Sequence, residues 1–387
     1  MVLVGKKGES MKRFQAVIDC GFGDAGKGLV SRWLAKQAFE RKEKTLTVFF
    51  SGGCQRAHTT VEGVFHTLPA GLFFNSDILY SEMFVIDPIA IYLEYENWKQ
   101  KFGLFIKPKL YVSPHCRVVT PFDVWNNRLK ETRRGTQKHG SCGMGIFETV
   151  FRDKSLFELK AKDLSNPWKL WEQLKKIEEL YSNSCSDMVY NAHNFMKAAE
   201  WFVKNVEQFE TYEVLKRYDT IIFEGSQGLL LSQTNVDFFP YLTPASTGVD
   251  NIEHWFNLGA AEEKEIYYVS RSYMTRHGAG PFPTECKKKD INPAIVDSTN
   301  VPNKWQNNLR FGYYDVKLIG DAIVKDTCRI TNNKVKFNMV FTQLNYTNGK
   351  VRCGKNDDWD INNDLFFFLN FDHLYGSWDK ENVERII

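Results

Sequence analysis

Residues 20–28, CGFGDAGKG, place four glycines, a lysine and an aspartate in one short loop. The glycine spacing fits a dinucleotide-binding fingerprint, and the final Gly-Lys pair fits most of a phosphate-binding loop. In either arrangement backbone N–H groups hold a phosphate, and Lys27 would add a positive charge. Asp24 has no place in either arrangement, because it brings a negative charge to a loop that is suited to anions.

Both standard patterns fail at a specific position. A dinucleotide site requires an acid at the end of the second strand to hold the ribose, but that strand ends in FSG at residues 50–52. A phosphate-loop NTPase requires Ser or Thr after the lysine to hold magnesium, and Gly28 occupies that position. Taken alone, the loop is compatible with an anion site of another kind or with a plain tight turn.

Two further glycine-containing stretches carry polar side chains. Residues 52–60, GGCQRAHTT, place His58 shortly after two glycines, where its imidazole could act as an acid or base or be purely structural. Its position beside a Gly-Gly turn and near the Gly-Lys loop favours the acid–base role. Residues 139–146, HGSCGMGI, could bind phosphate through backbone N–H groups or form an irregular surface loop.

Two stretches in the second half of the chain could shape the same site. Residues 223–231, FEGSQGLLL, place Gln227 at a strand end, where its amide could pair with a base edge through one donor and one acceptor. Residues 272–285, SYMTRHGAGPFPTE, follow a strand and contain Arg276 and His277. Their glycine and proline content indicates a rigid wall rather than a flexible linker.

The composition indicates a globular protein without a nucleic acid or membrane as its main partner. Of 387 residues, 43% are hydrophobic and 25% charged, and the formal net charge is only +3. The eight cysteines are scattered without metal-site spacing, which is typical of reduced thiols. We see no signal peptide and no run of 18 apolar residues, and we expect a cytoplasmic protein from a bacterium or a phage-infected cell.

The order of elements predicts an α/β fold with a mainly parallel central sheet and helices on both faces. A helix is expected from about Lys27, and the pattern over about 156–215 is mostly helical and reads as an insertion. We expect one domain over 1–387. Strands are predicted at residues 14–19, 45–50, 83–87, 109–113, 220–226, 265–273 and 335–344.

Together these stretches resemble the motifs of the adenylosuccinate synthetase family. The family motifs G-D-E-G-K-G, G-G-x-N-A-G-H-T, E-G-A-Q-G, Y-P-Y-V-T and T-R-V-G-A-G-P-F-P-T-E are similar, in order, to residues 23–28, 52–59, 224–228, 239–243 and 275–285. The order and rough spacing hold from residue 15 to about 345. In the last motif, His277 stands where the family has Val.

The resemblance implies a P-loop-like fold and a ligase that joins L-aspartate to a purine nucleoside monophosphate at the expense of an NTP. It implies Mg²⁺ as the metal, ATP or GTP as the co-substrate, and a homodimer. In this chemistry Asp24 would take the N1 proton of a 6-oxopurine, so that O6 can attack the γ-phosphoryl group. His58 would act as an acid and balance charge on that group, Lys27 would hold phosphates, and Gln227 would orient the purine.

The resemblance also implies which residues bind each ligand. The catalytic set is Asp24, Lys27, His58 and Gln227. The NTP-binding set is Gly23, Ala25, Gly26, Gly28, Thr59, Thr342, Gln343, Asn345 and Gly376. The set for the purine monophosphate is Gln55, Ser141, Cys142, Arg152, Gln227 and Thr243. Aspartate would be held by Lys304 and Arg310, and the metal by Asp24 and Ala57. Arg152 is the nearest candidate for the arginine that a partner subunit contributes in this family.

Two departures from the family bear on the substrates. The guanine-reading T-K-L-D of the family is TQLN at residues 342–345, and Asn345 cannot present two acceptors to guanine, whereas it can pair with adenine. We therefore predict ATP as the phosphoryl donor. The aspartate loop of the family carries several arginines, whereas residues 303–312, NKWQNNLRFG, carry one.

These departures resemble a phage branch of the family that joins aspartate to dGMP with ATP, on the route to 2-aminoadenine DNA. In that branch a small residue replaces the loop aspartate and leaves room for the 2-amino group of guanine. Because Asp24 is retained here, we predict IMP or dIMP as the substrate, with dGMP as the alternative. A nucleotide-binding regulator without catalysis is an alternative of another class, and Gly28 disfavours a P-loop ATPase or kinase.

Replacing Asn345 by Asp tests the predicted base reader. We expect the ratio of kcat/KM for ATP to that for GTP to fall by about 10-fold or more, because a carboxylate accepts from both guanine N–H donors. The control is Asn348→Asp, the same change three residues later. An unchanged ratio would show that the base is read elsewhere.

Overall fold

A ten-stranded sheet forms the centre of the protein. The structure is a computed structural model, and it describes residues 12–103, 107–152, 157–181, 188–257, 261–297, 300, 308–361 and 371–387. The strand order is β19-β18-β15-β11-β1-β10-β2-β5-β7-β9, and within this described sheet neighbouring strands are parallel except for β19, which runs antiparallel to β18.

The described elements have the following bounds. The strands are β1 Arg13–Asp19, β2 Thr45–Phe49, β3 His58–Thr59, β4 Val64–Phe65, β5 Asp77–Tyr80, β6 Val85–Ile86, β7 Leu110–Val112, β8 Arg117–Val118, β9 Val206–Gln208, β10 Thr220–Gly228, β11 Glu263–Arg271, β12 Met274–Arg276, β13 Glu285–Cys286, β14 Arg310–Gly312, β15 Val335–Thr342, β16 Lys350–Arg352, β17 Asp358–Asp360, β18 His373–Gly376 and β19 Glu384–Arg385. The helices are α1 Lys27–Glu40, α2 Pro88–Phe102, α3 Pro121–Arg134, α4 Ile146–Arg152, α5 Pro167–Leu180, α6 Met188–Asn205, α7 Thr211–Leu215, α8 Glu253–Asn257, α9 Lys288–Ile291 and α10 Val316–Thr327.

Strand β1 lies in the middle of the sheet and is buried on both faces. It pairs in parallel with β10 on one side and with β11 on the other. Phe14, Ala16 and Ile18 pack into the hydrophobic cluster on one face, and Val17 packs into the cluster on the other. This apolar run, interrupted at Gln15, is typical of a parallel strand that is covered on both faces. The carboxyl ends of β1, β2, β10, β11 and β15 therefore meet along one edge.

Helices cover both faces of the sheet, as the sequence predicts. Leu29, Val30 and Leu34 of α1 pack against one face, and Ile319 and Ile323 of α10 pack against the opposite face. The apolar side chains of each helix recur at helical spacing, so that one stripe is buried while the other side remains polar. The sheet edge at which the carboxyl ends of the central strands meet lies between the two helix layers.

The segment predicted to be a helical insertion is mostly helical. Helices α5 and α6 bury their apolar stripes in a separate hydrophobic cluster that also contains residues of α2. The segment also supplies β9, which pairs with β7 at the edge of the central sheet. The insertion is therefore joined to the sheet by backbone hydrogen bonds as well as by packing.

The predicted strands are confirmed except that residues 83–87 do not join the central sheet. Only Val85–Ile86 form a strand, and it pairs with β8 in a separate two-stranded sheet. In the central sheet the sequence prediction also missed β5, β9, β18 and β19, which are two to four residues long. Within the described residues, none of the helices combines the length and apolar character that a membrane span needs.

Candidate functional site

The carboxylate of Asp19, the last residue of β1, holds the glycine loop in shape. One oxygen accepts hydrogen bonds from the backbone N–H groups of Gly21 (2.9 Å) and Gly23 (3.3 Å). The other accepts from the N–H of Ala25 (2.9 Å) and from the ammonium of Lys27 (3.1 Å). Asp19 has no exposed surface, and Lys27 is also buried. Three N–H groups and one cation thus converge on a single buried carboxylate.

Asp24 is placed differently, with its side chain partly exposed at the sheet edge. Its backbone is in the left-handed region (φ 62°), which turns the chain sharply at this residue. Its carbonyl oxygen accepts a hydrogen bond from Nε of Arg271 (2.6 Å). One carboxylate oxygen lies 3.5 Å from Nε2 of His277, and the side chain is 22% exposed. The carboxylate is therefore accessible to a ligand, unlike that of Asp19.

Helix α1 begins directly after the loop and packs closely on β3. Gly26 precedes the helix with φ 100°, a conformation that favours glycine. At Gly28 an added Cβ would lie 2.8 Å from Cβ of His58 and 3.2 Å from the carbonyl oxygen of Thr59. The absence of a side chain at Gly28, which broke the phosphate-loop pattern, is thus what lets His58 approach the helix.

His58 is buried in a cluster with Glu224 and Arg56. Nδ1 of His58 lies 2.5 Å from Oε1 of Glu224, and the guanidinium of Arg56 contacts the same oxygen. Burial, followed by the charge of Arg56, lowers the pKa of His58 to about 3, although Glu224 opposes this shift. The imidazole is therefore neutral. Nδ1 lies between the acceptor Oε1 of Glu224 and the donor Nη2 of Arg56 (2.6 Å), whereas Nε2 is buried without a hydrogen-bond partner among the described residues.

Two glutamine side chains lie beside the Gly-Gly turn after β2. An added Cβ at Gly52 would lie 2.5 Å from Oε1 of Gln227, and one at Gly53 would lie 3.0 Å from Oε1 of Gln55. Both amide oxygens are buried and have no hydrogen-bond partner among the described residues. Unpartnered buried amides are costly, so they are suited to a polar ligand.

The predicted base-reading segment reaches the glycine loop through Thr342 at the end of β15. The hydroxyl of Thr342 donates to the carbonyl of Ala25 at 2.6 Å. Gln343 follows with φ 62°, and Asn345 is exposed. Gly376 is buried at the end of β18, where an added Cβ would collide with neighbouring side chains at 2.8 Å. The loop and the segment therefore lie at the same end of the sheet.

The stretch 139–146 packs against the Gly/Pro-rich stretch 272–285. An added Cβ at Gly140 would lie 2.7 Å from the backbone of Gly278. Ser141 donates to Oδ1 of Asn127 (2.8 Å), and burial raises the pKa of Cys142 to about 11, so that its thiol stays neutral. A neutral thiol does not repel a phosphate.

Thr243 lies in a turn, where its backbone N–H donates to the carbonyl of Leu231 at 2.9 Å. Its side chain is half-buried. The described hydrogen bonds therefore fix the backbone of Thr243.

The guanidinium groups of Arg152 and Arg310 are bound to carboxylates and backbone carbonyls of the protein itself. Arg152 is buried, with Nε 2.8 Å from Oδ1 of Asp123 and Nη2 2.9 Å from Oδ2. Arg310 forms a fork with the carboxylate of Glu285 and donates to two backbone carbonyls of the 278–280 turn. This geometry lends no support to the predicted monophosphate role of Arg152 or aspartate role of Arg310. Lys304 lies outside the described residues.

Asp24 fits the single-carboxylate mode of magnesium binding. Mg²⁺ is usually held by one or two carboxylates together with substrate phosphates. No group of three or more acidic, His or Cys side chains that could hold a metal occurs among the residues described by the structure. Ala57, the other predicted ligand, is exposed next to His58. A metal that arrives with a nucleotide is compatible with this donor set.

The sequence prediction missed the roles of Asp19, Arg56 and Glu224. Asp19 could have been found, because an acid that ends a buried strand must bind something, and the following loop supplies unpaired N–H groups. Glu224 and Arg56 both lie in stretches that were singled out, but the contacts of Glu224 with His58 and Arg56 join residues 166 and 168 positions apart. Only the fold reveals these contacts.

Comparisons with known proteins agree with the motifs. A profile of the family described as adenylosuccinate synthetase matches residues 16–341. Adenylosuccinate synthetase of Polynucleobacter asymbioticus is 29% identical over 317 residues, covering 77% of this chain and 68% of the relative. That of Clostridium botulinum strain Alaska E43 is 27% identical over 296 residues, covering 70% and 65%. The chain thus spans about two thirds of the length of these curated relatives.

Two solved structures share the fold. Fully ligated adenylosuccinate synthetase of Plasmodium falciparum superposes with a TM-score of 0.69 at 19% identity, covering 86% of this chain and 77% of that one. Succinoaminodeoxyadenylate synthetase of cyanophage S-2L, bound to dGMP and to dATP as an energy donor, superposes with a TM-score of 0.62 at 18% identity, covering 97% and 95%. At these identities the likeness concerns the fold.

Replacing Asp19 by Asn is expected to lower the free energy of unfolding by about 3–5 kcal/mol, because it leaves the buried ammonium of Lys27 without its partner. Chemical denaturation measures the change. The control is Asp237→Asn, the same substitution at an exposed aspartate, which should change stability by about 0.5 kcal/mol or less. Equal effects of the two substitutions would contradict the role of Asp19.

Replacing Gly28 by Ala is expected to destabilise the protein by about 1–3 kcal/mol, because the new Cβ must displace His58 or α1. Gly21→Ala is the matched control, since its Cβ would meet only ordinary contacts at 3.6 Å or more. Thermal unfolding of both variants checks the difference. If Gly28→Ala is as stable as Gly21→Ala, the close approach of His58 does not constrain the helix.

Proposed function

Because the chain belongs to the adenylosuccinate synthetase family, whose members are ligases that form a carbon–nitrogen bond, we propose that it joins L-aspartate to C6 of a 6-oxopurine nucleoside monophosphate with hydrolysis of an NTP. The observation that carries this proposal is the accessible carboxylate of Asp24 in the glycine loop at the carboxyl edge of the sheet. A carboxylate at this position can serve the reaction if it faces the purine base of the substrate rather than a phosphate group.

The reaction proceeds in two steps. Asp24 takes the proton from N1, and the charge moves to O6. O6 attacks the γ-phosphorus of the NTP, so that an O6–P bond forms, the bond to the bridging oxygen breaks and NDP leaves. The amine of aspartate then attacks C6, and inorganic phosphate leaves with the former O6. Mg²⁺, held by Asp24 and Ala57 together with nucleotide phosphates, would neutralise charge on those phosphates.

His58 serves the first step through Nε2. Nδ1 is engaged by Glu224 and Arg56, so Nε2 is the nitrogen that can meet the transferring phosphoryl group. Without ligands its pKa is lowered by burial and by Arg56. Phosphate anions beside Nε2 favour the protonated form and raise that pKa. The ring would thus become an acid only when the nucleotide is bound.

The remaining residues are proposed to bind the substrates. Lys27 would hold NTP phosphates by exchanging its contact with Asp19 for them, and Thr342, Gln343 and Asn345 would read the base as adenine. Gln55 and Gln227, with buried unpartnered amide oxygens, orient the purine. The monophosphate would lie against the 139–146 stretch. The protein is proposed to act as a homodimer in the cytoplasm.

The proposal has two alternatives, one for the purine base of the substrate and one for the class of protein. Retained Asp24 favours IMP or dIMP, whereas the cyanophage enzyme of the same fold is bound to dGMP and to dATP. A nucleotide-binding regulator is the second class. It is favoured by the engagement of Arg310, the predicted aspartate ligand, with Glu285.

A substrate panel tests the proposal. Phosphate release is measured with IMP, dIMP, GMP or dGMP, with ATP or GTP, and with or without aspartate. The ligase requires that release depend on both a monophosphate and aspartate. Release without either would indicate an NTPase, and ligand-dependent melting shifts without turnover would indicate the regulator.

Replacing Asp24 by Asn is expected to lower kcat by about 100- to 10,000-fold, because the amide cannot take the N1 proton. Binding of the purine monophosphate, measured by calorimetry, should be retained. Asp321→Asn, at an exposed position of α10, is the control and should keep kcat. A near-normal kcat in Asp24→Asn would show that Asp24 is not the base.

A further inference from the structure

The imidazole of His277 lies next to the carboxylate of Asp24, the predicted base. His277 follows β12, and its Nε2 lies 3.5 Å from a carboxylate oxygen of Asp24. The side chain is 18% exposed. The similar family motif has Val at this position, and a valine side chain could not make this polar contact.

A hydrogen-bond network fixes the orientation of the His277 ring. Nε2 lies 3.0 Å from Oδ1 of Asn300. The amide nitrogen of Asn300 donates to Asp297 at 2.7 Å, so its oxygen must be the atom that faces His277. Asp297 also accepts from Arg271, whose Nε donates to the backbone carbonyl of Asp24. The ring and the acid are thus positioned by one network.

The network determines which ring nitrogen carries hydrogen. Both neighbours of Nε2, the oxygens of Asn300 and Asp24, are acceptors, so Nε2 is the N–H donor. Nδ1 of the neutral ring is then an acceptor. This atom is buried and has no hydrogen-bond partner among the described residues. A buried acceptor without a donor has an energetic cost, which an N–H group of a ligand would remove.

We propose that His277 determines specificity for the purine base by accepting an N–H of an exocyclic 2-amino group at Nδ1. The inference rests on the proposed function and names its substrate class as a 2-amino-6-oxopurine monophosphate. The 2-amino group is attached to the carbon next to N1, the atom that Asp24 would deprotonate. His277, in contact with Asp24, lies where a neighbouring substituent is within reach.

This proposal reverses the preference for a 2-unsubstituted base that was predicted from Asp24. That prediction assumed that the carboxylate crowds a 2-amino group. A carboxylate has two oxygens, so it can accept from N1–H with one and from an amino hydrogen with the other. Nδ1 of His277 takes the second amino hydrogen, which a 2-unsubstituted base does not have. Hypoxanthine would leave this acceptor unpaired.

The first test uses the unmodified protein and sugar-matched pairs of nucleotides. Dissociation constants are measured by calorimetry for GMP against IMP and for dGMP against dIMP. We expect the 2-amino member of each pair to bind about 10-fold more tightly or better, as for a site with a buried acceptor. Equal binding, or tighter binding of IMP and dIMP, overturns the inference.

The second test separates the two ring nitrogens. Asn at 277 places a polar atom near the position of Nδ1, whereas Gln places one near that of Nε2. We expect His277→Gln and His277→Val to lower the GMP-to-IMP affinity ratio by about 10-fold, and His277→Asn to retain most of it. Unfolding temperatures without ligand show whether each variant is folded. An unchanged ratio in a folded His277→Gln overturns the inference.

The outcomes are distinguishable from failure of the proposed function. If no monophosphate supports aspartate-dependent phosphate release, the ligase proposal fails, and the binding ratios still decide the role of His277. If release occurs and His277→Gln raises KM for aspartate equally with GMP and IMP, Nδ1 meets the amine of aspartate instead. That result overturns the inference and leaves the ligase proposal standing.

Discussion

The arrangement of the site depends on the contact between the Asp19 carboxylate and the loop that follows β1. A buried carboxylate is tolerated only if its acceptor positions are filled, and here three backbone N–H groups and Lys27 fill them. The contacts bend the loop back over the end of its own strand. As a consequence Asp24 is turned outward and α1 begins at a defined point. The acid that fits no phosphate-loop pattern and the acid that shapes the loop are therefore two different residues with separate tasks.

Charge is distributed unevenly around the two reactive side chains. Glu224 and Arg56 balance each other beside His58, and burial keeps the imidazole neutral. Asp24 instead keeps contact with solvent and with His277. The imidazole of His58 is therefore buried and held in a fixed orientation, whereas the carboxylate of Asp24 remains accessible. Such a difference in exposure between two titratable groups is compatible with proton transfer that takes place only after a charged substrate has bound.

Much of the fold was predictable because the central strands are long and apolar, and because glycine punctuates their ends. Strands β1, β10 and β15 were predicted within a few residues of their bounds. Short strands such as β5 carry too few residues for a periodic pattern. Candidate residues of the site were predicted as motifs, but their partners were not. The contacts of His58 with Glu224 and of Asp24 with His277 join distant segments, and no local pattern encodes them.

The position of β1 in the sheet has a consequence for synthesis on the ribosome. Both neighbours of this first strand come late, since β10 begins at residue 220 and Gln15 contacts a residue 250 positions away. At roughly 5–20 residues per second, β1 waits on the order of ten seconds or more with the backbone N–H and C=O groups of both edges unpaired. During that time it is exposed to pairing with other chains. We therefore expect β1, the strand that precedes the glycine loop, to need protection from pairing with other chains during synthesis.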